Sequence, residues 1–309
     1  MLNFLYCFDE NYNIQGLVSI YSLLDNISEK INIHIIHKDP STLNKYIVKI
    51  QNHTNLNNLK IFKFNNTNFS FPRVEGAHVS EATYYRFFIE KFIDPSVENL
   101  IYLDSDIVCI SDPLNDIKSA IHNLNNSNFI ISVRSEPQSL SKELDLKSGK
   151  YFNAGVMIIR TSDWYLNKLE SQLIKMTEKY KDILQFWDQD VLNKYFDGDY
   201  LELNKYLNFS LNMKPFEQIS KIDTKDIKFI HYVGKFKPWS LRGIVNNKSD
   251  FYQKYYRNLF LKKYHLHSSR KLNTIRDLIG SIRYGVFFKT KYPINLLFKV
   301  FLSVIKIKK

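Results

Sequence analysis

Residues 2–8 form an unbroken apolar run that stops at Asp9-Glu10-Asn11, the pattern of a strand covered on both faces. Ile14, Leu17, Val18, Tyr21 and Leu24 then recur at three- and four-residue steps and predict a helix over 13–24. Ile31–Ile36 alternates as a strand does, 40–50 reads as a helix, and 59–64 is apolar enough for a third strand. This βαβαβ order predicts an α/β fold with a mainly parallel central sheet and flanking helices. After a polar loop, the pattern predicts a helix over 80–92 and a buried strand over 99–103. Strand character resumes at 106–110, and further strands are expected at 129–133, 155–159 and 228–233. A long helix is expected over 163–180 and a shorter one after Asp188. No internal repeat or long linker interrupts residues 1–245, which we read as one domain.

Residues 246–309 differ in kind. Ile275, Leu278, Ile279, Ile282 and Val286 share one helical face, with Arg276 and Arg283 elsewhere on the wheel. Residues 294–305 are apolar apart from Asn295, Lys299 and Ser303, and Lys306, Lys308 and Lys309 follow. Twelve residues fall short of the roughly 20 that span a bilayer. They suit a helix lying in an anionic membrane interface, so this basic helical tail is expected to attach the protein to a membrane surface. A helical hairpin packed back on the domain, or a protein–protein contact, is the alternative.

Composition sharpens the picture in three ways. Only nine glycines occur, and neither G-x-G-x-x-G nor G-x-x-x-x-G-K-S/T is present, which removes the usual dinucleotide and P-loop readings. The two cysteines, Cys7 and Cys109, sit in apolar runs and imply no disulfide framework, and the N-terminus has no basic region of a leader, so a reducing, cytoplasmic setting is expected. The formal charge of +12 is concentrated: residues 248–309 hold 15 lysines and arginines against Asp250 and Asp277, leaving the first 247 residues close to neutral. A near-neutral body argues against nucleic acid, and a basic tail argues for an anionic surface.

Chemistry concentrates where strands end. Leu100-Ile101-Tyr102-Leu103 runs into Asp104-Ser105-Asp106, two carboxylates at i and i+2 that extended geometry would place on one side. Ligands of open α/β sheets collect beyond the carboxyl ends of strands, and such an oxygen pair suits a hard divalent cation. The plain alternative is a solvated turn. His231, with Lys235 and Lys237 behind it, follows the final strand and offers a third ligand and a charge for a leaving phosphate. Phe152-Asn153-Ala154-Gly155 reads as a polar step before a strand, Trp187-Asp188-Gln189-Asp190 opens a helix, and Arg86 lies among aromatic residues.

Six segments in order resemble the family 8 glycosyltransferases, a retaining family with the GT-A nucleotide-diphospho-sugar transferase fold. They are Tyr6-Cys7-Phe8-Asp9-Glu10-Asn11-Tyr12, Ala82-Thr83-Tyr84-Tyr85-Arg86, Leu103-Asp104-Ser105-Asp106, Tyr151-Phe152-Asn153-Ala154-Gly155, Asp188-Gln189-Asp190, and His231-Tyr232-x-Gly234-x-x-Lys237-Pro238-Trp239. The likeness covers about residues 1–240.

The resemblance implies a UDP-hexose donor and Mn²⁺, or Mg²⁺, bound by Asp104, Asp106 and His231, with Ser105 in the same loop. It places Asp9 and Asn11 on the uridine, Gly234 and Lys237 on the diphosphate, and Arg86, Asn153, Ala154, Asp188 and Gln189 around the hexose, with His78 lining the cleft. Retention through an oxocarbenium-like state would make Gln189 or Asp188 the stabilising group. Two positions depart from the family pattern. Ser240 stands where His is frequent, and Arg134-Ser135-Glu136 stands where many relatives carry a sugar-reading Asp, leaving galactose and glucose both open. Family members with comparable basic tails extend lipopolysaccharide or lipooligosaccharide cores, so the acceptor is expected to be a lipid-linked saccharide at the inner face of the cytoplasmic membrane. A protein or other glycan acceptor, a haloacid-dehalogenase-like phosphatase built on Asp104-Ser105-Asp106, and a non-catalytic sugar-nucleotide-binding protein are the other readings.

Overall fold

A computed structural model describes residues 1–65, 69, 71–72, 80–137, 144–214, 216, 222–267 and 271–305. The chain opens with β1 (Asn3–Phe8), α1 (Asn13–Asn26) and β2 (Ile31–His37), then a 3-10 turn, the one-turn α2 (Asn44–Ile47) and β3 (Leu56–Lys63). β1 pairs in parallel with β2, and β2 with β3, as the apolar runs require. Alternate residues of β1 feed opposite cores. Phe4, Tyr6 and Phe8 join one cluster with α1, while Leu5 and Cys7 join another with Tyr84, Tyr85 and Phe87. Both cysteines are buried and free.

The segment expected as a helix over 80–92 is mostly a tighter spiral, a 3-10 helix over Glu81–Phe88, followed by the one-turn α3 (Ile89–Phe92). Tyr84 through Phe88 are all buried, so no solvent face sets a 3.6-residue period. β4 (Asn99–Leu103) pairs in parallel with β1, and β5 (Ile107–Cys109) leaves for a second sheet. After α4 (Leu114–Asn125) come β6 (Ile131–Glu136) and β7 (Tyr151–Arg160), which run antiparallel to each other, β7 also lying antiparallel to β4. β7 begins four residues earlier than its apolar run suggests, so Phe152-Asn153-Ala154-Gly155 lies inside the strand. Asn193 permits this by donating to the Phe152 carbonyl at 2.9 Å and accepting from its N–H at 2.7 Å.

The helix expected over 163–180 is two, α5 (Thr161–Leu166) and α6 (Leu169–Tyr180), broken where Lys168 takes φ 50°. α7 (Trp187–Phe196) and β8 (Leu201–Glu202) follow, completing a seven-stranded sheet in the order β3-β2-β1-β4-β7-β6-β8. Four of its six pairings are parallel, so the mainly parallel α/β expectation holds. β9 (Phe209–Ser210) and β10 (Phe229–His231) build the smaller sheet with β5, in the order β5-β10-β9. The final strand therefore belongs to this second sheet, not the large one.

α8 (Leu241–Ile244) and α9 (Asp250–Phe260) lead to the hairpin α10 (Lys271–Arg283) and α11 (Pro293–Ile305). Leu296 and Val300 of α11, with Val286 and Phe287, pack onto Leu241, Ile244 and Val245. Arg242 pairs with Asp277 at 2.7 Å. The hairpin is docked, yet Ile294, Phe298 and Phe301 remain 82%, 62% and 60% exposed. Among the described residues no helix is long and apolar enough to cross a membrane.

Candidate active site at the corner between the two sheets

Asp104 follows the last residue of β4, and its N–H still bonds the Gly155 carbonyl of β7 at 2.9 Å. The chain then turns within Asp104-Ser105-Asp106, where the Ile107 N–H reaches back to the Asp104 carbonyl at 3.2 Å. The two carboxylates thus converge through a turn rather than an extended strand. His231 joins them because β10 runs antiparallel to β5, setting His231 opposite Ile107. Its Nε2 lies 3.3 Å from Asp106 Oδ1 and 3.9 Å from Asp104 Oδ2, and one ligand atom from each of the three residues falls within 4.8 Å of the others.

These residues fit a divalent cation. Asp106 Oδ1 is buried and takes no hydrogen bond, an orphaned acceptor that a metal would satisfy. Asp106 Oδ2 instead accepts from Lys237 Nζ at 2.7 Å, and the same ammonium donates to the Tyr232 carbonyl at 2.5 Å. Burial pushes the Asp106 carboxyl up, but Lys237 and His231 together outweigh it and hold this acid well below the usual carboxylate range. Gly234, with φ 79°, makes the turn between His231 and Lys237, and a Cβ there would lie 3.0 Å from Asn212 Oδ1.

Arg86 organises the opposite wall. Its guanidinium is 3% exposed and donates to the Asp104 carboxylate at 3.0 Å, to the Ala154 carbonyl at 2.5 Å and to the Thr83 carbonyl at 3.0 Å. It also pairs with Asp188 at 2.8 Å and lies 4.0 Å over the Tyr102 ring, whose hydroxyl donates to Asp104 at 2.6 Å. Burial works against this cation, but Asp188, Tyr102 and Asp104 together hold its pKa above the ordinary value. Asp188 responds differently: burial outweighs Arg86 and pushes its carboxyl up to about 6.

The rest of Asp188-Gln189-Asp190 is equally committed. Gln189 Oε1 accepts from the Ala154 N–H at 3.0 Å, and its amide donates to the Tyr151 hydroxyl at 2.9 Å. Tyr151 donates in turn to Asp190 at 2.6 Å, whose other oxygen accepts from the N–H groups of Gln185 at 2.6 Å and Phe186 at 2.7 Å before α7. Asn153 is buried alongside, its Oδ1 accepting from the Gly155 N–H at 2.9 Å and from Asn208 Nδ2 at 3.0 Å.

Asp9 lies beyond the carboxyl end of β1 and caps the next turn by accepting from the Asn11 N–H at 3.0 Å. Burial, then Asp106, Asp9 and Asp104, raise the pKa of the Tyr12 hydroxyl. Ser105 Oγ is buried without a hydrogen bond, and His78 lies outside the described residues. The structure therefore brings Asp104, Asp106, His231, Lys237, Arg86, Asp188, Gln189, Asn153 and Ala154 into one connected cluster. At the departures from the family pattern, Ser240 caps α8 by accepting from the Gly243 N–H at 3.1 Å. Ser135 bonds Glu202 at 2.5 Å, while Glu136 accepts from Ser210 at 3.1 Å. Asn208 and Tyr102 hold the site in place from outside the six family segments, and Tyr151 lies in one without a role assigned to it; the contacts single all three out.

The sequence model described as Glycosyl transferase family 8 matches residues 3–242. The chain belongs to this family. It is 26% identical over 255 residues to a putative glycosyltransferase of Haemophilus influenzae, covering 77% of this chain and 73% of that one. It is 28% identical over 253 residues to an Escherichia coli lipopolysaccharide 1,2-glucosyltransferase, covering 75% and 71%. A Salmonella typhimurium lipopolysaccharide 1,3-galactosyltransferase is 31% identical over 175 residues, covering 51% of this chain and 49% of that relative. Among solved structures, galactosyltransferase LgtC, in complex with donor and acceptor sugar analogues, superposes with a TM-score of 0.68 at 20% identity over 83% of this chain and 96% of that one. That likeness shows the GT-A fold. Family 8 membership makes the chain a glycosyltransferase and sets aside the phosphatase reading of Asp104-Ser105-Asp106. The Asp104, Asp106 and His231 cluster is where a family 8 enzyme of this fold could hold a divalent metal.

Proposed function

We propose that this family 8 glycosyltransferase moves galactose or glucose, with retention, from a UDP-sugar to a lipid-linked saccharide. The observation that carries the reading is the orphaned Asp106 Oδ1 between His231 and the Lys237-bound face of the same carboxylate. A divalent cation, Mn²⁺ or Mg²⁺, held by Asp104, Asp106 and His231 would supply Lewis acidity to the diphosphate leaving group. Asp9 and Asn11 take the uridine, and Gly234 and Lys237 face the diphosphate, where the ammonium adds a second positive charge as the sugar–phosphate bond breaks. Arg86 acts from behind, holding the Asp104 and Asp188 carboxylates and the Ala154 carbonyl in place. Gln189, fixed by Ala154 and Tyr151, and Asp188 bound the space for the hexose, and either can steady a positive anomeric carbon.

The acceptor side of the proposal rests on the C-terminal hairpin, which we read as a peripheral attachment to the inner face of the cytoplasmic membrane. Its outward apolar side chains are interspersed with Arg276, Arg283, Lys289, Lys291 and Lys299, a combination suited to anionic lipid. The lipopolysaccharide-directed relatives in two bacteria support a lipid-linked acceptor. The test is release of UDP from UDP-galactose and UDP-glucose with Mn²⁺. We expect turnover of one donor, lowered at least about 10³-fold in Asp104→Ala. Metal binding by the wild type with no turnover of either donor across saccharide acceptors would sink the proposal.

A further inference from the structure

We propose that Asn208 is a positioning residue whose single side-chain amide fixes the metal-facing nitrogen of His231 and the hydrogen-bonding polarity of Asn153, tying the metal side of the site to the sugar side. The inference rests on the metal reading above and concerns a residue outside every motif.

The backbone N–H of Gly155 can only donate, and it lies 2.9 Å from Asn153 Oδ1, so that atom is the amide oxygen. Asn208 meets the same oxygen at 3.0 Å and must present its NH₂ there. Its carbonyl oxygen is then the atom 3.1 Å from His231 Nδ1, which makes Nδ1 the protonated nitrogen. Nε2 is left with its lone pair toward the Asp104 and Asp106 carboxylates, 3.9 Å and 3.3 Å away. Three lone-pair donors thus converge, the polarity a cation site needs and an ordinary His–Asp pair lacks.

Two further observations hold this relay in register. Asn208 is fully buried between a 3-10 turn and β9, next to β10, and its own carbonyl accepts from the Arg134 guanidinium. The imidazole packs against Gly155 so closely that a Cβ built there would lie 2.2 Å from His231 Cε1. A consequence follows for Asn153: its oxygen already accepts two hydrogen bonds, so it offers N–H to whatever lies in the cleft.

The test uses full-length protein, with Mn²⁺ as the probe, and follows the electron paramagnetic resonance signal of free Mn²⁺ in titrations. Asn208→Leu should weaken Mn²⁺ affinity about 10- to 100-fold and remove the imidazole nitrogen coupling from the bound-ion spectrum. Asn208→Asp keeps an acceptor for Nδ1–H but loses the donor to Asn153. It should hold Mn²⁺ affinity within about threefold of wild type while raising KM for the UDP-hexose well above any change in Kd for UDP. Wild-type Mn²⁺ affinity in Asn208→Leu overturns the proposal, as does a loss in Asn208→Asp as large as in Asn208→Leu. Should Asn208→Leu fail to fold, Asn208→Asp alone decides, its KM and Mn²⁺ affinity moving apart or not. A wild type that binds no Mn²⁺ overturns the metal reading itself, whereas normal wild-type binding with an indifferent Asn208→Leu overturns only the role of Asn208.

Discussion

The cleft and the C-terminal hairpin depart from ordinary protein architecture in opposite directions. In the cleft, Arg86, Asp188 and Asp106 are charged groups drawn inside, each tied to named partners a hydrogen bond away. On the hairpin, Ile294, Phe298 and Phe301 are large apolar groups left mostly exposed on one helix. Burying charge and exposing hydrocarbon both oppose folding, so neither arrangement is explained by stability. The difference lies in how each is restrained. The cleft is held by directed hydrogen bonds and ion pairs that leave Asp106 Oδ1 open, whereas the hairpin is anchored through its inner face and its outer face is unspecific. The first suits recognition of one diphosphate and one sugar; the second suits a surface without fixed geometry.

The largest effect is expected from removing the buried cation of the cleft wall. Arg86→Met leaves Asp188 and Asp104 without their buried counter-charge, so a loss of about 3–5 kcal/mol and a fall in Tm of roughly 10 °C are expected by calorimetry. A Tm within a couple of degrees of wild type would show that the cleft is not held by its charges. For the hairpin the expectation reverses. Replacing Ile294, Phe298 and Phe301 together by Ser should leave Tm and turnover of a soluble acceptor nearly unchanged, yet lower binding to anionic vesicles by at least about 30-fold. Unaltered vesicle sedimentation at low salt would end the membrane reading of this face.

The smallest expected effect is one of pH. Asp188 has its carboxyl raised to about 6 in the folded protein, above the ordinary value of an unfolded chain. Its contribution to stability is therefore complete below the unfolded value and is lost as pH rises through about 6. Asp188→Asn lacks that titration, so its Tm relative to wild type should climb by a few degrees between pH 4.5 and 7.5. A flat or falling difference in paired thermal melts would contradict the burial argument.

What could be read from the sequence divides along the same physical line. β1 and β4 announce themselves because a strand covered on both faces must be apolar throughout, β2 because its residues alternate, and the tail helices because one apolar stripe repeats. The 3-10 stretch over Glu81–Phe88 is hidden because Tyr84 through Phe88 are all buried and leave no solvent face to set a helical period. The break at Lys168 is hidden because a lysine at positive φ has no sequence mark of its own. In the site, Asp104, Asp106, His231 and Lys237 were legible as charged or ligating residues at strand ends. Asn208 was not, since an asparagine in an asparagine-rich chain means nothing until its contacts are known. Those contacts are Asn153, 55 positions away, and His231, 23 away.

The docking of the hairpin has a consequence for how such an enzyme would search for its acceptor. Arg242–Asp277 and the packing of Leu296 and Val300 against α8 fix the hairpin to the segment that directly follows Lys237-Pro238-Trp239. An attachment of this kind works as a bracket rather than a leash. On a lipid surface it would hold the mouth of the cleft at one height and one tilt, so that acceptors diffusing in the same plane meet it in two dimensions instead of three. The gain is then one of effective concentration, selecting saccharides by how far they stand above the bilayer before any sugar-specific contact is made.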